Sequence, residues 1–496
     1  MAYLLGLDIG SSSIKVAILD SESGAVLATA TSPQTELPIE ADFPGWAEQD
    51  PNSWWEHVQK ACVFLSRTHK RELGDVSAIG ISYQMHGLVL VDEARQALRP
   101  AILWCDSRAV EIGIRALEEI GAKRCFEHLL NSPGNFTASK LRWVLDNEPD
   151  IFERAHKAIL PGDYIAMRLT NEICTTVSGL SEGILWDFKK DARADFLLDY
   201  YAIPHELLAG VVPTFGTQGK VTREAALALG IKQGTPVTYR AGDQSNNAFA
   251  LKVLEPGEAA TTAGTSGVIY GVSDHVIADR ASRVNTFLHV NHAPQKPRYG
   301  SLLCCNGTGI LNSWLKREIA NGTPYDEING AAQYAEAGCR GLFLLPYGNG
   351  AERSLENKDL GASLHGLNFN IHTKRHVFRA AQEGIVFSLH YGLEIMRAMG
   401  LDIRSVRAAR ANLFLSPLFG EVFAAVTGTS LELFQTDGAA GAARGAGLGA
   451  KIYRDTKEAF SSLHKMESIE PDPELVKVYA EVYPRWKEIL THQITR

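Results

Sequence analysis

The sequence predicts an α/β protein of two related domains, each a mixed sheet flanked by helices, and three observations carry that expectation. The chain runs to 496 residues, more than one hydrophobic core organises. It opens on Leu4-Leu5-Gly6-Leu7-Asp8-Ile9 and Ile14-Lys15-Val16-Ala17-Ile18-Leu19, two short apolar runs that fit buried strands around Gly10-Ser11-Ser12-Ser13. The same order of strand, glycine with hydroxyl residues, and strand returns at Ala259-Ala260-Thr261-Thr262-Ala263-Gly264-Thr265-Ser266-Gly267-Val268-Ile269-Tyr270. Such an echo implies a duplicated fold in which each half offers one turn to an anion.

The first turn lacks bulk, so its backbone N–H groups and the hydroxyls of Ser11, Ser12 and Ser13 can converge on a phosphate. Asp8, at its mouth, would face the metal of a nucleotide. An ordinary hairpin with a polar tip fits this stretch alone equally well. The echo at Gly264 to Gly267 and a second strand-end carboxylate, Asp243, favour phosphate.

Composition narrows the class of ligand. Apolar residues make up 45% and charged residues 21%, as in an ordinary globular protein. A net charge of -8 and a pI near 6.0 argue against nucleic acid or an anionic membrane as partner and favour a small soluble ligand. The seven cysteines are scattered without a C-x-x-C pair, which fits the reduced thiols of a cytosol. The start lacks the basic first region of a signal peptide, and no apolar run approaches the length of a membrane span. The expected location is cytoplasmic.

Along the chain, Ala25 to Thr31 reads as a third antiparallel strand after a turn at Asp20 to Gly24. Asp50 suits the N-cap and Pro51 the first position of a helix running towards Arg67. Val76 to Ser82 reads as a strand ending in Tyr83-Gln84-Met85-His86-Gly87, and Ala101 to Trp104 as another ending in Cys105-Asp106-Ser107-Arg108. Polar loops at strand carboxyl ends are where α/β sheets bind ligands. Residues 115–168 read as largely helical and 170–220 as irregular. Thr235 to Asp243 predicts a strand and Ser245 to Val253 a helix; Gly341 to Pro346 and Ser405 to Phe414 predict strands. Val377 to Met399, the small-residue run Asp437 to Ala450 and residues 473–493 predict helices. Glycine is costly inside a helix, so the second of these implies close approach of a neighbour or a nucleotide.

Asp8 and Asp243 each adjoin a glycine-containing stretch in one candidate half, a pairing that suits phosphoryl transfer to a hydroxyl. Asp8 would serve the metal and Asp243 would take the proton of the attacking hydroxyl; for Asp243 alone, a helix N-cap is the plainer reading. His86 and Met85 could meet a substrate carbonyl or hydroxyl, with Trp104 as an apolar wall and Asp106 fixing further hydroxyls. His289-x-x-His292 lacks partners at ligand spacing. No G-x-x-x-x-G-K-[ST] occurs, and Gly264-Thr265-Ser266-Gly267 lacks the G-x-S-x-G spacing of a nucleophile elbow.

In this order the motifs Asp8-Ile9-Gly10-Ser11-Ser12, Glu48-Gln49-Asp50-Pro51, Gln84-Met85-His86-Gly87, Ala101-Ile102-Leu103-Trp104, Lys140-Leu141-Arg142-Trp143, Ala241-Gly242-Asp243, Gly264-Thr265-Ser266-Gly267-Val268 and Asp437-Gly438-Ala439-Ala440-Gly441-Ala442 make the chain resemble the FGGY carbohydrate kinases over nearly its whole length. A second family signature looks present around Gly366-Leu367 and His376 to Glu383. The resemblance implies two actin-like, ribonuclease-H-like domains, 1–240 on the sugar side and 241–470 on the nucleotide side; the final helix at 471–496 is expected to pack on the first. The resemblance places ATP and Mg2+ in the interdomain cleft.

By the same resemblance Asp243 is the general base and a metal and substrate residue, and Asp8 the metal residue. Met85, His86, Trp104 and Asp106 are the sugar pocket. Ser11, Ser12, Ser13, Lys15, Gly264, Thr265, Ser266, Ala409 and Asn412 are nucleotide contacts. The implied reaction is ATP-dependent phosphorylation of a ketopentose primary hydroxyl. D-xylulose ranks before ribulose, gluconate or glycerol, because Met85-His86-Gly87 is the form that xylulose-directed members carry. A homodimer is the expected assembly. Three departures stand out: Arg407-Ala408-Ala409-Arg410-Ala411-Asn412 replaces a glycine-rich turn, Gln244 an asparagine, and Ala351-Glu352-Arg353 a Gly-Glu-Arg. Rival expectations are an actin-like ATPase acting as chaperone or filament, and a relative that binds sugar without catalysis.

Overall fold

The computed structural model describes residues 2–495. The chain divides into two compact units: one takes the chain up to Lys252 together with Phe287–Pro297 and Thr436–Leu463, the other Val253–Thr286, Arg298–Gln435 and the chain from His464.

The first unit is built on a six-stranded mixed sheet in the order Phe215–Lys220, Pro236–Gly242, Val76–Tyr83, Tyr3–Ile9, Ile14–Asp20, Val26–Ser32. The opening hairpin pairs antiparallel with Leu7 opposite Val16 and Asp8 opposite Lys15. Tyr3–Ile9, Val76–Tyr83 and Pro236–Gly242 run parallel, so their carboxyl ends share one edge. Apolar residues on both faces explain why these strands read as runs rather than alternations. Leu5, Leu7, Ile9, Val16, Ile18, Ile79, Ile81 and Val237 are fully buried. Helix Pro51–Ser66, capped by the Asp50 side chain on the Asn52 amide, covers Ile14–Asp20 and Val26–Ser32.

Helix Gly438–Gly449 packs against Tyr3–Ile9, Val76–Tyr83 and Pro236–Gly242. Its small residues are explained by backbone contact: a Cβ on Gly6 would lie 1.8 Å from the Ala439 carbonyl oxygen, and one on Gly80 2.0 Å from that of Ala442. The sequence places this helix in a 241–470 domain, whereas its contacts group it with the first unit.

The second unit repeats the plan. Its sheet contains, in order, Tyr299–Cys305, Gly267–Ser273, Glu258–Ala263, Ser405–Ala409, Ser430–Phe434 and Lys465–Ile469. Again an antiparallel hairpin, here Glu258–Ala263 with Gly267–Ser273, continues into two parallel strands. The final helix Pro473–Ile494, expected on the first domain, packs into the second unit's core through Tyr479, Tyr483, Trp486 and Leu490.

Other expectations shift locally. Residues 115–168 are helical but carry the short strand Lys157–Ile159. The stretch read as irregular at 170–220 contains helices Val177–Glu182 and Asp195–Tyr200 and several short strands. Phe343–Leu345 forms only a hairpin with Ser363–His365, and the strand from Ser405 stops at Ala409, where the chain turns into a 3₁₀ segment at Asn412–Leu415.

Candidate active site

In the first unit the carboxyl edge of the three parallel strands gathers the chemistry. Asp8 lies near the end of its strand opposite Ser82, His86 comes just after the neighbouring strand, and Asp243 just after the next as the first residue of helix Asp243–Ala250. Gly242 takes the cap position of that helix, so Asp243 stands one residue inside it.

Both carboxylates are partly accessible at this edge. Burial raises the Asp8 pKa, the Ser82 hydroxyl and Lys15 draw it down, and Asp437 pushes it up. Burial raises Asp243 to about 7, with the negative charge of Asp8 adding to the rise and hydrogen bonds around Gln244 opposing it. Lys15 is 3.6 Å from Asp437, the N-cap of the glycine-rich helix. Asn246 donates to the Gly438 carbonyl at 2.8 Å. A Cβ on Gly438 would stand 2.4 Å from an Asp8 carboxylate oxygen, so glycine there leaves Asp8 its room.

The Gly10–Ser13 turn is tied down by its carbonyls. The Gly10 amide donates to the Ser13 oxygen at 3.1 Å, the Leu37 amide to that of Ser12 at 2.7 Å, and Gln49 to that of Ser11 at 2.7 Å. The Trp104 indole nitrogen lies 3.5 Å from the Ser11 hydroxyl, and Trp104 is 44% exposed.

Met85 is buried, and the edge of its side chain lies beside Gly242. His86 adopts φ 61°, its Nδ1 2.8 Å from the Glu182 carbonyl oxygen, and its ring packs edge-on against Phe136. Asp106 differs from its expected role. Its strand, Ala101–Ile102, lies outside the main sheet, paired with Glu48–Gln49 and bridged at Ile102 to Leu88, and Asp106 is fully buried. Its oxygens accept from the Ala47 amide at 2.6 Å and from Arg108 at 2.7 Å, so it acts on the loop rather than on open solvent.

Two residues the sequence reading did not single out complete the site. Glu182 is buried beside Gly242 and Tyr83, and burial together with Asp243 lifts its pKa well above the usual range. Lys140, quoted only within a motif, is fully buried and donates to two loop carbonyls. Its signal was a lysine beside Leu141 and four residues before Val144, on the stripe a helix buries.

In the second unit Gly264, Thr265 and Ser266 form the turn between the hairpin strands. The Gly309 amide donates to the Gly264 oxygen at 2.8 Å and the Ile310 amide to that of Thr265 at 3.2 Å. A Cβ on Gly264 would be 3.4 Å from the Asn412 side-chain nitrogen, so this turn and Asn412, just beyond Ala409, come together. Arg407 is committed elsewhere, to Glu258 at 2.9 Å and Glu432 at 3.0 Å. Among the described residues no group of three or more His, Cys, Asp or Glu side chains is placed to hold a metal, His289 and His292 included.

Two family models match the chain in succession, each containing one of the two hairpin turns. The N-terminal domain model of the FGGY family of carbohydrate kinases matches residues 3–250, and the C-terminal domain model matches residues 259–451. The chain belongs to the FGGY family of carbohydrate kinases. This kinase is 30% identical over 460 residues to the xylulose kinase of Escherichia coli K12, covering 92% of each chain. The crystal structure of xylulose kinase from Rhodospirillum rubrum superposes with a TM-score of 0.87 at 25% identity, covering 100% of both chains. A gluconate kinase from Lactobacillus acidophilus shares the fold, with a TM-score of 0.89 at 23% identity over 99% of this chain and 98% of its own. The kinase thus has the two-domain actin-like architecture of its family. No helix among its described residues is long and apolar enough to cross a membrane.

Proposed function

We propose that this carbohydrate kinase transfers the γ-phosphoryl group of ATP to the primary hydroxyl of a ketopentose, D-xylulose foremost, yielding D-xylulose 5-phosphate in the cytoplasm. The observation that carries this reading is the convergence of Asp8, His86 and Asp243 on the carboxyl edge of three adjacent parallel strands. The kinship to xylulose kinases supports the choice of sugar.

Asp243 is assigned as the general base. In the metal-free chain burial raises Asp243 to about 7, and a cation beside it would draw that value back down, so its assignment as base rests on its place at the strand edge. His86, Met85 and Trp104 orient the sugar, with Asp106 supporting the Trp104 loop. Gly10 to Ser13 with Lys15, and Gly264 to Ser266 with Ala409 and Asn412, are assigned to the nucleotide.

Asp8 and Asp243 fit a magnesium ion. A divalent cation relieves the burial and repulsion that raise both groups, and two carboxylates suffice where water and phosphate oxygens complete an octahedron. Bound there, it would neutralise charge on the phosphate chain.

A coupled ADP-release assay with D-xylulose, D-ribulose, gluconate and glycerol tests the assignment. The highest kcat/KM is expected with D-xylulose, phosphorylated at C5. Turnover of none of these acceptors would overturn the reading.

A further inference from the structure

The sugar pocket proposed above is made of two loops from different parts of the first unit. One, Gln84 to Gly87, extends from a strand of the main sheet; the other, Leu103 to Asp106, extends from a two-residue strand outside it. Leu88 and Ile102 exchange two backbone hydrogen bonds, at 2.9 and 3.1 Å, which join the two segments at the base of the loops and leave the loop residues beyond them to be tied separately.

Lys140 occupies that place. It lies in helix Thr137–Asn147 with no exposed surface, and its Nζ donates to the His86 carbonyl at 2.9 Å and to the Leu103 carbonyl at 2.6 Å. Thr137, one turn earlier on the same helix, donates to the Gly87 carbonyl at 3.2 Å. The helix therefore holds two successive carbonyls of the first loop and reaches the second through one ammonium group.

His86 shows why the grip is needed. Its φ of 61° is left-handed, a conformation that costs a residue with a side chain roughly 1–3 kcal/mol unless its surroundings hold it. Lys140 holds its carbonyl, and the Glu182 carbonyl, 2.8 Å from Nδ1, holds its ring. Leu103, the other acceptor, immediately precedes Trp104. One nitrogen thus joins the carbonyl of the histidine to that of the residue before the tryptophan, alongside the bonds that Ala47 makes to Leu103 and Asp106.

A buried ammonium is a costly way to fill space. Burial draws the Lys140 pKa down to about 7, with the charge of Asp106 opposing that fall and Arg108 adding to it. An apolar side chain would pack there without that cost but would remove a charged donor from both carbonyls, of which that of Leu103 also accepts from the Asp106 amide at 3.3 Å.

We propose that Lys140 is a positioning residue of this kinase that locks the Gln84–Gly87 and Leu103–Asp106 loops together and thereby sets affinity for the sugar rather than for the nucleotide. The inference rests on the assignment of His86 and Trp104 to the sugar.

The test is steady-state kinetics of the full chain varied separately in D-xylulose and ATP. Lys140→Met keeps the length and removes both donations; the sugar KM should rise about tenfold or more, the equivalent of one lost charged hydrogen bond, with the ATP KM within about twofold. Lys140→Gln, which retains a donor for one carbonyl, should fall between, and it carries the test if Lys140→Met does not fold. A folded Lys140→Met enzyme with an unchanged sugar KM overturns the inference, as do sugar and ATP KM values that rise in parallel. Wild-type enzyme that phosphorylates no sugar in the panel overturns instead the functional assignment beneath it, and this inference with it.

Discussion

Burial, with the negative charge of Asp8 adding to it, raises the pKa of Asp243. The two stand at the carboxyl ends of strands separated by one neighbour, and Asp243 sits at about 7 against an ordinary value of 3.8. The consequence for stability has a definite sign. Below about pH 4 both folded and unfolded chains carry the proton, and this group contributes nothing. Between about pH 4 and 7 the unfolded chain ionises first and the folded state loses stability; above 7 the loss is complete. Metal-free Asp243→Asn should therefore melt higher than wild type at pH 8, with the gap closing towards pH 4, in calorimetry with EDTA present. A gap independent of pH would show that Asp243 is not raised.

The same repulsion becomes binding energy for a cation. Magnesium added to metal-free wild type at pH 8 should raise the melting temperature, since a ligand at a hundred times its Kd stabilises by about 2.7 kcal/mol. Asp8→Asn and Asp243→Asn should each show less than about half that stabilisation. With sugar and MgATP, Asp243→Asn should lose about 10²- to 10⁴-fold in kcat, the usual worth of a general base. Near-normal turnover would refute that role.

How legible these features were depends on what each residue does locally. The Gly10–Ser13 turn, its echo at Gly264 and the carboxylate Asp243 were readable because short turns and strand ends write their requirements into adjacent residues. The glycines of Gly438–Gly449 announced a close neighbour, though only the fold shows it to be the sheet of the first unit. Glu182 was hidden because its helix, Val177–Glu182, is too short to display a period. Asp106 misled because a polar residue after an apolar run reads as a ligand, whereas Arg108, two residues on, and the Ala47 amide claim it. Partners distant in sequence decide such cases, and a single chain does not name them.

Arg240 is a cation inside a buried strand. It lies 3.0 Å from Asp163, both side chains are almost wholly enclosed, and its guanidinium also donates to the Cys174 carbonyl at 2.9 Å. Breaking a buried pair strands the other charge, so Arg240→Met should cost about 3–5 kcal/mol in urea unfolding. Arg240→Met with Asp163→Asn should recover a large share of that loss. An additive double variant would mean the pair is not coupled.

Gly6 and Gly438 separate docking of the glycine-rich helix from its effect on catalysis. A Cβ at Gly6 meets the Ala439 carbonyl, backbone that cannot swing aside, so Gly6→Ala should destabilise by about 1–3 kcal/mol. At Gly438 the obstacle is the Asp8 carboxylate, a side chain free to rotate away. Gly438→Ala should therefore cost less stability than Gly6→Ala while displacing Asp8, and its signature should be weaker magnesium-dependent stabilisation with reduced kcat. Chemical denaturation, with and without magnesium, distinguishes the two. Equal loss of stability in both variants would mean that the helix start is as rigid as its middle and that Asp8 cannot yield.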